Sequence, residues 1–319
     1  MSPPPTLLVV GATGNTGHPL VTHLSTHLPS SPTLSTHRIL ALTRTASSPT
    51  ARALALLPSV HVAEKNWVDI DAAWLRAHNV VRAFIASHNG PAHFTHESGF
   101  HVACLDAGVG YVVRISTTAA NVSPVCKAYY PRAHWAVEQI LSSKDFEALG
   151  WTSLQPNVFA QVYLGPAAGF VKEVKEGEGK EQGVLRLMAD ESARVGVIDA
   201  SDIGIFAARL LLERDTAPHH GEKYVLNGPR DITGRDIVDL VEREIGTKVE
   251  DVRFRDVSFV ADMAEQEGED TKSAVASIKF APVTAWEGEC GVETTSRKVR
   301  ALGAPKRSVG DVWREMLEG

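Results

Sequence analysis

The sequence predicts an α/β fold, a doubly wound parallel sheet with a smaller C-terminal lobe, and three observations predict it. A short apolar run at residues 6–10 leads directly into glycines at positions 11, 14 and 17, and a helical pattern follows. Apolar runs and helical patterns then alternate as far as residue 156, which is typical of a sheet covered by helices on both faces. Beyond residue 160 this regularity fades, which indicates a separate lobe.

The stretch from Thr6 to Gly17 predicts a phosphate-binding turn. Its apolar run is too uniform for a half-exposed strand, and Leu20, Leu24 and Leu28 follow at helical spacing. Glycines let a ligand approach the backbone, and free amides at the helix N-terminus face an anion. A purely structural turn is the alternative, but this order of elements is typical of a Rossmann dinucleotide site. The residues of the turn predicted to bind the cofactor are Gly11, Thr13, Gly14, Asn15, Thr16 and Gly17.

The other elements follow in order along the chain. Further buried strands are predicted at residues 39–42, 60–62, 80–86, 111–115, 151–154 and 196–199. Helices are predicted at residues 72–75, 98–108, 129–141, 233–245 and 308–317, and exposed loops at 87–97, 171–182 and 265–272. These elements predict a Rossmann NAD(P)-binding domain at residues 1–160, to which 195–230 return, and a smaller substrate-binding lobe at 161–194 and 231–319.

The end of the second strand predicts the choice of cofactor. An NAD site places an acid here, about twenty residues past the glycines, to hold the ribose hydroxyls. This chain has Arg44 among Thr43, Thr45, Ser47 and Ser48, without a carboxylate. A guanidinium with hydroxyl neighbours suits a 2′-phosphate, so Arg44 predicts NADP(H). A solvated arginine after a strand is the alternative.

Other cofactor contacts are predicted where strands end. Asp69 either caps the following helix or lies along the adenine. Ser87 and Ser116 follow the strands at 80–86 and 111–115, whose carboxyl ends pass under the cofactor. After the strand at 151–154, the predicted neighbours of the nicotinamide are Pro156, Asn157 and Phe159.

Composition excludes several other classes of protein. A formal charge of −6 gives no basic face for nucleic acid. Three widely spaced cysteines suit a reducing compartment, the first residues lack the pattern of a signal peptide, and no apolar stretch is long enough for a membrane span. We therefore expect a soluble cytoplasmic protein with neither a nucleic-acid nor a membrane partner.

One cluster of polar residues raises the question of a metal site. His93, His96, Glu97 and His101 lie close together in the sequence, and all four are metal-ligating types. Their spacing matches no known zinc pattern, and the start of a helix that faces a pocket often collects polar residues. No metal is expected.

Five segments together resemble the NmrA-like family of atypical short-chain dehydrogenases/reductases: Gly11–Gly17, Thr43-Arg44, His134-x-x-x-Glu138, Gln155–Phe159 and Val197–Gly204. The resemblance implies a Rossmann domain that binds NADP(H) or NAD(H) and a lobe that closes over the nicotinamide. It also implies one of two functions. Some members reduce quinones, isoflavonoids, benzylic ethers or alkaloid imines, and others are redox-sensing regulators that bind a transcription factor.

The predicted catalytic residues depart from the wider superfamily, in which a tyrosine precedes a lysine by four residues. Here His134 follows Tyr130 at that spacing, and Pro131 places Tyr130 at the entrance of its helix. Either Tyr130 or His134 is expected to deliver a proton, with ribose binding as the alternative role of His134. Thr117 or Ser116 is expected to hydrogen-bond the substrate oxygen, and a cap of the turn at the strand end is the alternative for that hydroxyl. The alternative is structural: Tyr130 packs under a loop and His134 makes a hydrogen bond in the core.

These features predict an NADPH-dependent reductase of a small organic molecule with a C=O, C=C or C=N bond. A non-catalytic sensor that passes the redox state to a protein partner is the second interpretation, since the lysine is missing. An isomerase or dehydratase that retains the cofactor is the third. The sequence predicts neither the substrate nor the oligomeric state.

Overall fold

The computed structural model describes residues 3–177 and 182–318. Its strands are β1 (Thr6–Val10), β2 (Arg38–Thr43), β3 (Val60–Glu64), β4 (Val80–Ile85), β5 (Tyr111–Ile115), β6 (Gly150–Pro156), β7 (Val184–Arg186), β8 (Glu222–Leu226) and β9 (Asp251–Arg253). Seven of them form one sheet in the order β3-β2-β1-β4-β5-β6-β8, and β7 pairs with β9 in a small parallel sheet.

As far as β6 the described helices alternate with the strands, as the sequence predicts, and after β9 they follow one another. They are α1 (Gly17–His27), α2 (Pro49–Ala55), α3 (Ala72–Ala77), α4 (His93–Ala107), α5 (Tyr129–Leu141), α6 (Ala160–Glu176), α7 (Ala200–Leu212), α8 (Gly234–Ile245), α9 (Phe259–Glu265), α10 (Glu269–Ala276), α11 (Val283–Trp286), α12 (Arg297–Gly303) and α13 (Val309–Glu318).

The main sheet has the strand order of a Rossmann fold. Strand β1 pairs in parallel with both β2 and β4, so the chain reverses its winding direction beside β1. The crevice at the carboxyl ends of the strands at such a point is where doubly wound sheets bind ligands. Every residue of β1 is buried, as expected of a strand covered on both faces.

The contacts divide the chain into two compact units. The first unit contains residues 1–116, 133–155 and 200–224, and its core includes Leu8, Ile85, Val112 and Trp151. The second unit contains residues 117–132, 156–199 and 225–319, and its core is formed largely by α6, α8 and α13. The domain boundaries predicted from the sequence remain a proposal.

Several predicted elements need correction. Helix α4 begins at His93 and not at 98, so residues 93–97 are helical. Residues 196–199 form only an isolated bridge at Ile198 and no strand. Helix α6 extends to Glu176 because Phe170 and Val171 are buried, and residues 178–181 of that predicted loop lie outside the described residues.

The charged segment 265–272 is also more regular than predicted. It contains the end of α9 and the beginning of α10. Two acidic residues, Glu269 and Asp270, occupy the first turn of α10, where the helix dipole favours negative charge. The charges that suggested a loop therefore favour a helix start.

Candidate functional site

The glycine turn between β1 and α1 has the geometry of a close backbone turn. Gly11 has a φ of +81°, a conformation that favours glycine, and the Gly14 amide donates to its carbonyl oxygen at 3.0 Å. A Cβ on Gly17 would lie 2.1 Å from the Gly11 oxygen, so a side chain at position 17 would force the turn open. The turn therefore requires glycine at both ends.

The N-terminus of α1 is open to an anion. Thr16 occupies the N-cap position, but its side chain makes no capping hydrogen bond, and the first turn contains no acidic residue. Gly14 and Asn15 are exposed beside it. Of the first three residues of this eleven-residue helix, His18 donates its amide to the Gly14 carbonyl oxygen at 2.9 Å and Pro19 has no amide hydrogen, which leaves the Gly17 amide. An unpaired amide at the positive end of a helix suits a phosphate group, so the turn fits the pyrophosphate of a dinucleotide.

Helix α7 packs directly on this turn. A Cβ on Gly204 would lie 2.2 Å from the Thr16 carbonyl oxygen and 3.0 Å from the Leu20 amide nitrogen. Only a residue without a side chain allows α7 and α1 to approach so closely. Gly204, which ends the Val197–Gly204 segment of the family resemblance, is therefore required by the packing of these two helices.

The end of β2 contains one feature that the sequence analysis missed. Arg44 is exposed directly after the strand, as predicted. However, Glu64 at the end of neighbouring β3 accepts a hydrogen bond from the Ala46 amide at 2.8 Å, so a carboxylate does lie in this loop region. A signal was available: the register of two parallel strands places Thr43 beside Glu64.

Other predicted cofactor residues of the first unit have different surroundings. The cap of α3 is Asp71, which accepts from the Trp74 amide at 2.7 Å, so the prediction that Asp69 caps this helix is wrong. Asp69 is exposed in a short turn. Ser116 follows β5 and is 5% exposed, and its hydroxyl has no hydrogen-bond partner among the described residues. The Ser116 hydroxyl can therefore form a hydrogen bond with a ligand.

A buried polar cluster is centred on Glu97 of α4. Its carboxylate accepts hydrogen bonds from the Arg114 guanidinium and the Ser87 hydroxyl, and it contacts the Nε2 atoms of His93 and His101. Burial alone would raise the pKa of Glu97, but Arg114 and the two histidines hold it well below its ordinary value. The cluster therefore contains a buried, ionised carboxylate–guanidinium pair.

His134 joins this cluster from α5, and its protonation state follows from its partners. The Arg114 guanidinium donates to His134 Nδ1 at 2.8 Å, and arginine cannot accept. The imidazole proton is therefore on Nε2, which donates to Asn89 Oδ1 at 3.1 Å. Burial and the charge of Arg114 place the pKa of His134 well below its ordinary value. His134 is neutral.

The nitrogens and oxygens of this cluster also have to be considered as metal ligands. One ligand atom each from His93, Glu97 and His134 lies within 4.8 Å of the others. However, Arg114 already donates to both Glu97 and His134, and its positive charge opposes a cation there. The donor set favours the ionic cluster over a metal, so the absence of a metal stays our prediction.

The second unit contains a separate, mainly apolar cavity of about 270 Å³. Tyr130 lines it and is hydrogen-bonded to Thr117, so two of the predicted catalytic residues lie together. Burial raises the pKa of Tyr130. His134 lies on the same helix but belongs to the first unit.

The remaining predicted residues lie at the end of β6 and directly after it. Pro156 is buried, and Phe159 occupies the N-cap position of α6. Asn157 is 4% exposed, and its amide group donates to Asn227 Oδ1 and the Cys290 carbonyl oxygen, both at 2.8 Å. Its side chain therefore links three segments of the second unit to one another. A contact with a cofactor stays a prediction.

Comparison with known proteins assigns the chain to a family. The model of the NmrA-like family matches residues 4–279, which is most of the sequence. The chain belongs to the NmrA-like family. No curated protein matches the sequence.

Solved structures share the fold of this NmrA-like chain at low sequence identity. The NADPH-dependent quinone oxidoreductase QOR2 from Escherichia coli, complexed with NADPH, has a TM-score of 0.73 and 20% identity and covers 97% of this chain and 99% of its own. The Citrobacter sp. triphenylmethane reductase, complexed with NADP(H), has a TM-score of 0.71 and 19% identity, covering 98% and 100%. NmrA, a negative transcriptional regulator, has a TM-score of 0.66 and 13% identity, covering 98% and 95%.

These similarities confirm the doubly wound α/β fold and the family resemblance found in the sequence. They do not separate reductases from regulators, because both occur among the similar structures. Within the described residues, no helix is both long and apolar enough to cross a lipid bilayer.

Proposed function

We propose that this NmrA-like protein is an NADPH-dependent reductase of a small organic molecule with a C=O, C=C or C=N bond. The observation that carries the proposal is the uncapped start of α1 behind a turn that requires Gly11 and Gly17. Such a turn has no evident structural need for open amides, but a diphosphate needs them.

NADP(H) is the cofactor that the first unit suits best. The turn at residues 11–17 would hold the pyrophosphate, and Arg44 the 2′-phosphate. Ser87 and Ser116 end neighbouring strands at the same edge of the sheet and are proposed to contact the rest of the cofactor. Two structures with this fold were solved with NADPH or NADP(H) bound. When bound, this cofactor supplies a hydride.

The cavity of the second unit is the proposed substrate site, and Tyr130 the proposed proton donor. A tyrosine hydroxyl is protonated at neutral pH, and burial raises the pKa of Tyr130 further, so this hydroxyl can donate to a substrate oxygen or nitrogen. Thr117 holds that hydroxyl by a hydrogen bond. The prediction that His134 delivers the proton stays open, but its single proton already points to Asn89, which favours a role in positioning that loop.

A regulator that senses NADP(H) is the second candidate. The specific observation in its favour is His134, a neutral side chain where the superfamily carries the lysine that assists the tyrosine. NmrA, whose structure is similar, is a negative transcriptional regulator. A cytoplasmic location stays a prediction under either candidate, and a protein partner is predicted only for the regulator.

Steady-state oxidation of NADPH tests the proposal with Tyr130→Phe. Positioned acids contribute about 10²–10⁴-fold, so we expect a loss of kcat of this order with NADPH affinity unchanged. Tyr129→Phe is the matched control, since Tyr129 is the preceding residue but is 45% exposed, and it should retain full activity. Tight NADPH binding without turnover on quinones, enones and cyclic imines would favour the regulator.

A further inference from the structure

The walls of the cavity in the second unit restrict the charge of its ligand. Most of the lining is contributed by apolar side chains, among them Met188, Val257, Phe259, Met263 and Ile278. None of the described residues that line the cavity is an aspartate, glutamate, lysine, arginine or histidine. A charged ligand would therefore lose its hydration without gaining a counter-charge.

Most polar side chains in the lining are already paired with the protein. Asn121 donates to the Ala281 carbonyl oxygen at 2.9 Å and accepts from Thr284 at 3.1 Å. Asn157 donates to the Cys290 carbonyl oxygen at 2.8 Å. These hydrogen bonds connect the segments of the cavity wall. They also leave the two asparagines few groups that could hydrogen-bond a ligand.

Within the described part of the chain, the side chain of Tyr163 has no such bond. It lies on α6, lines the cavity and is 3% exposed. Its hydroxyl is buried and has no hydrogen-bond partner among the described residues. A phenylalanine would fill the same volume without burying an unpaired hydroxyl, so the hydroxyl has no role in packing. Burial raises the pKa of Tyr163, which keeps its proton available for donation.

We propose that the cavity binds an uncharged, mainly apolar molecule whose hydrogen-bond acceptor pairs with the Tyr163 hydroxyl. Tyr163 is then a specificity-determining residue, distinct from the proposed proton donor Tyr130. The cavity is near the lower limit of the volumes usual for ligand pockets, which favours a small ligand. The inference rests on the proposed function only in treating this cavity as the substrate site.

Three probes of nearly equal shape test the proposal by binding to the full chain, with and without NADPH. Benzylideneacetone is an uncharged aromatic enone with one acceptor. Cinnamate carries a carboxylate in place of the acetyl group, and the corresponding hydrocarbon carries a methylene in place of the carbonyl. We expect benzylideneacetone to bind at least about tenfold more tightly than cinnamate, because the apolar walls cannot compensate a charge.

Tyr163→Phe isolates the hydroxyl. The variant should bind benzylideneacetone roughly threefold to tenfold more weakly and the hydrocarbon as well as the wild type does. Without ligand its melting temperature should be unchanged or higher, since no protein hydrogen bond is lost. Tyr224→Phe is the matched control: that buried hydroxyl contacts His219 Nδ1 at 2.8 Å outside the cavity, so its loss should lower stability and leave ligand binding unchanged.

Three results would overturn the proposal: cinnamate binding as tightly as the ketone, Tyr163→Phe binding the ketone as tightly as the wild type, or no probe binding at all. Failure of the reductase proposal is recognised separately. Binding of benzylideneacetone that depends on Tyr163, without any NADPH oxidation, would leave this inference intact and contradict reduction of that bond.

Discussion

At the scale of single residues, the cofactor preference depends on Arg44. Replacing it by serine should weaken NADPH binding about tenfold or more and change NADH binding little, because one charge-assisted contact to the 2′-phosphate is lost. Fluorescence titration with both cofactors measures the ratio. Arg214→Ser removes an exposed arginine elsewhere in the same unit and should leave both affinities unchanged. Equal losses for both cofactors would contradict the assigned role.

Glu64 lies in the same loop region as Arg44, and the sequence analysis missed it for a physical reason. Only the residues after β2 were considered, whereas Glu64 reaches the Ala46 amide from the adjacent strand. Arg44 itself was predictable because the position after β2 is fixed by the fold. Contacts between residues far apart in the sequence can be predicted only when the register of the strands is known.

The neutral state of His134 predicts a pH dependence of stability. Its pKa in the folded state lies well below the ordinary value of 6.5, so on lowering the pH the unfolded chain takes up a proton that the folded chain does not. The contribution of neutral His134 to the free energy of unfolding is complete above about pH 6.5. Below that pH it falls by up to about 1.4 kcal/mol per pH unit.

His134→Gln should reduce this dependence, since glutamine can accept from Arg114 and donate to Asn89 but does not titrate. Urea unfolding between about pH 7 and pH 5 should give a shallower fall in the free energy of unfolding than for the wild type. Parallel curves for the two proteins would show that folding does not lower the pKa of His134.

At the scale of elements, the approach of α7 to the glycine turn depends on Gly204. Gly204→Ala should lower the free energy of unfolding by about 1–3 kcal/mol, because its Cβ would overlap the Thr16 carbonyl. Gly169→Ala on α6 is the matched control. No atom lies within 4 Å of its added Cβ, so it should stabilise the protein by roughly 0.5–1 kcal/mol. Two substitutions of equal stability would contradict the close packing.

Some elements of the fold are predictable from the sequence and others are not. The strands of the main sheet were recognisable because apolar runs such as Leu7–Val10 are buried on both faces. The start of α4 was not, because His93 and Glu97 looked like polar loop residues that precede the predicted helix with His101. Their spacing of four is helical, and the Glu97 carboxylate contacts both histidines and accepts from the buried Arg114. The four-residue periodicity of these polar residues would have indicated that the helix begins at His93.

At the scale of the whole molecule, sequence reasoning predicted the first unit better than the second. The cofactor turn lies within one continuous stretch, so its local pattern is informative. The cavity of the second unit is assembled from segments as distant as Thr118 and Cys290, and Tyr163 has no motif around it. Such a site depends on tertiary packing, which a local pattern does not encode.

Cofactor binding depends most on the phosphate contact of the turn, and calorimetric titration with NADPH tests that contact most directly. The wild type should bind one equivalent, Gly14→Asp should lose that binding because a carboxylate faces the diphosphate, and the nearly isosteric Gly14→Asn should retain more affinity than Gly14→Asp. A folded wild type that does not bind NADPH, or a Gly14→Asp variant that binds it equally well, would contradict the account.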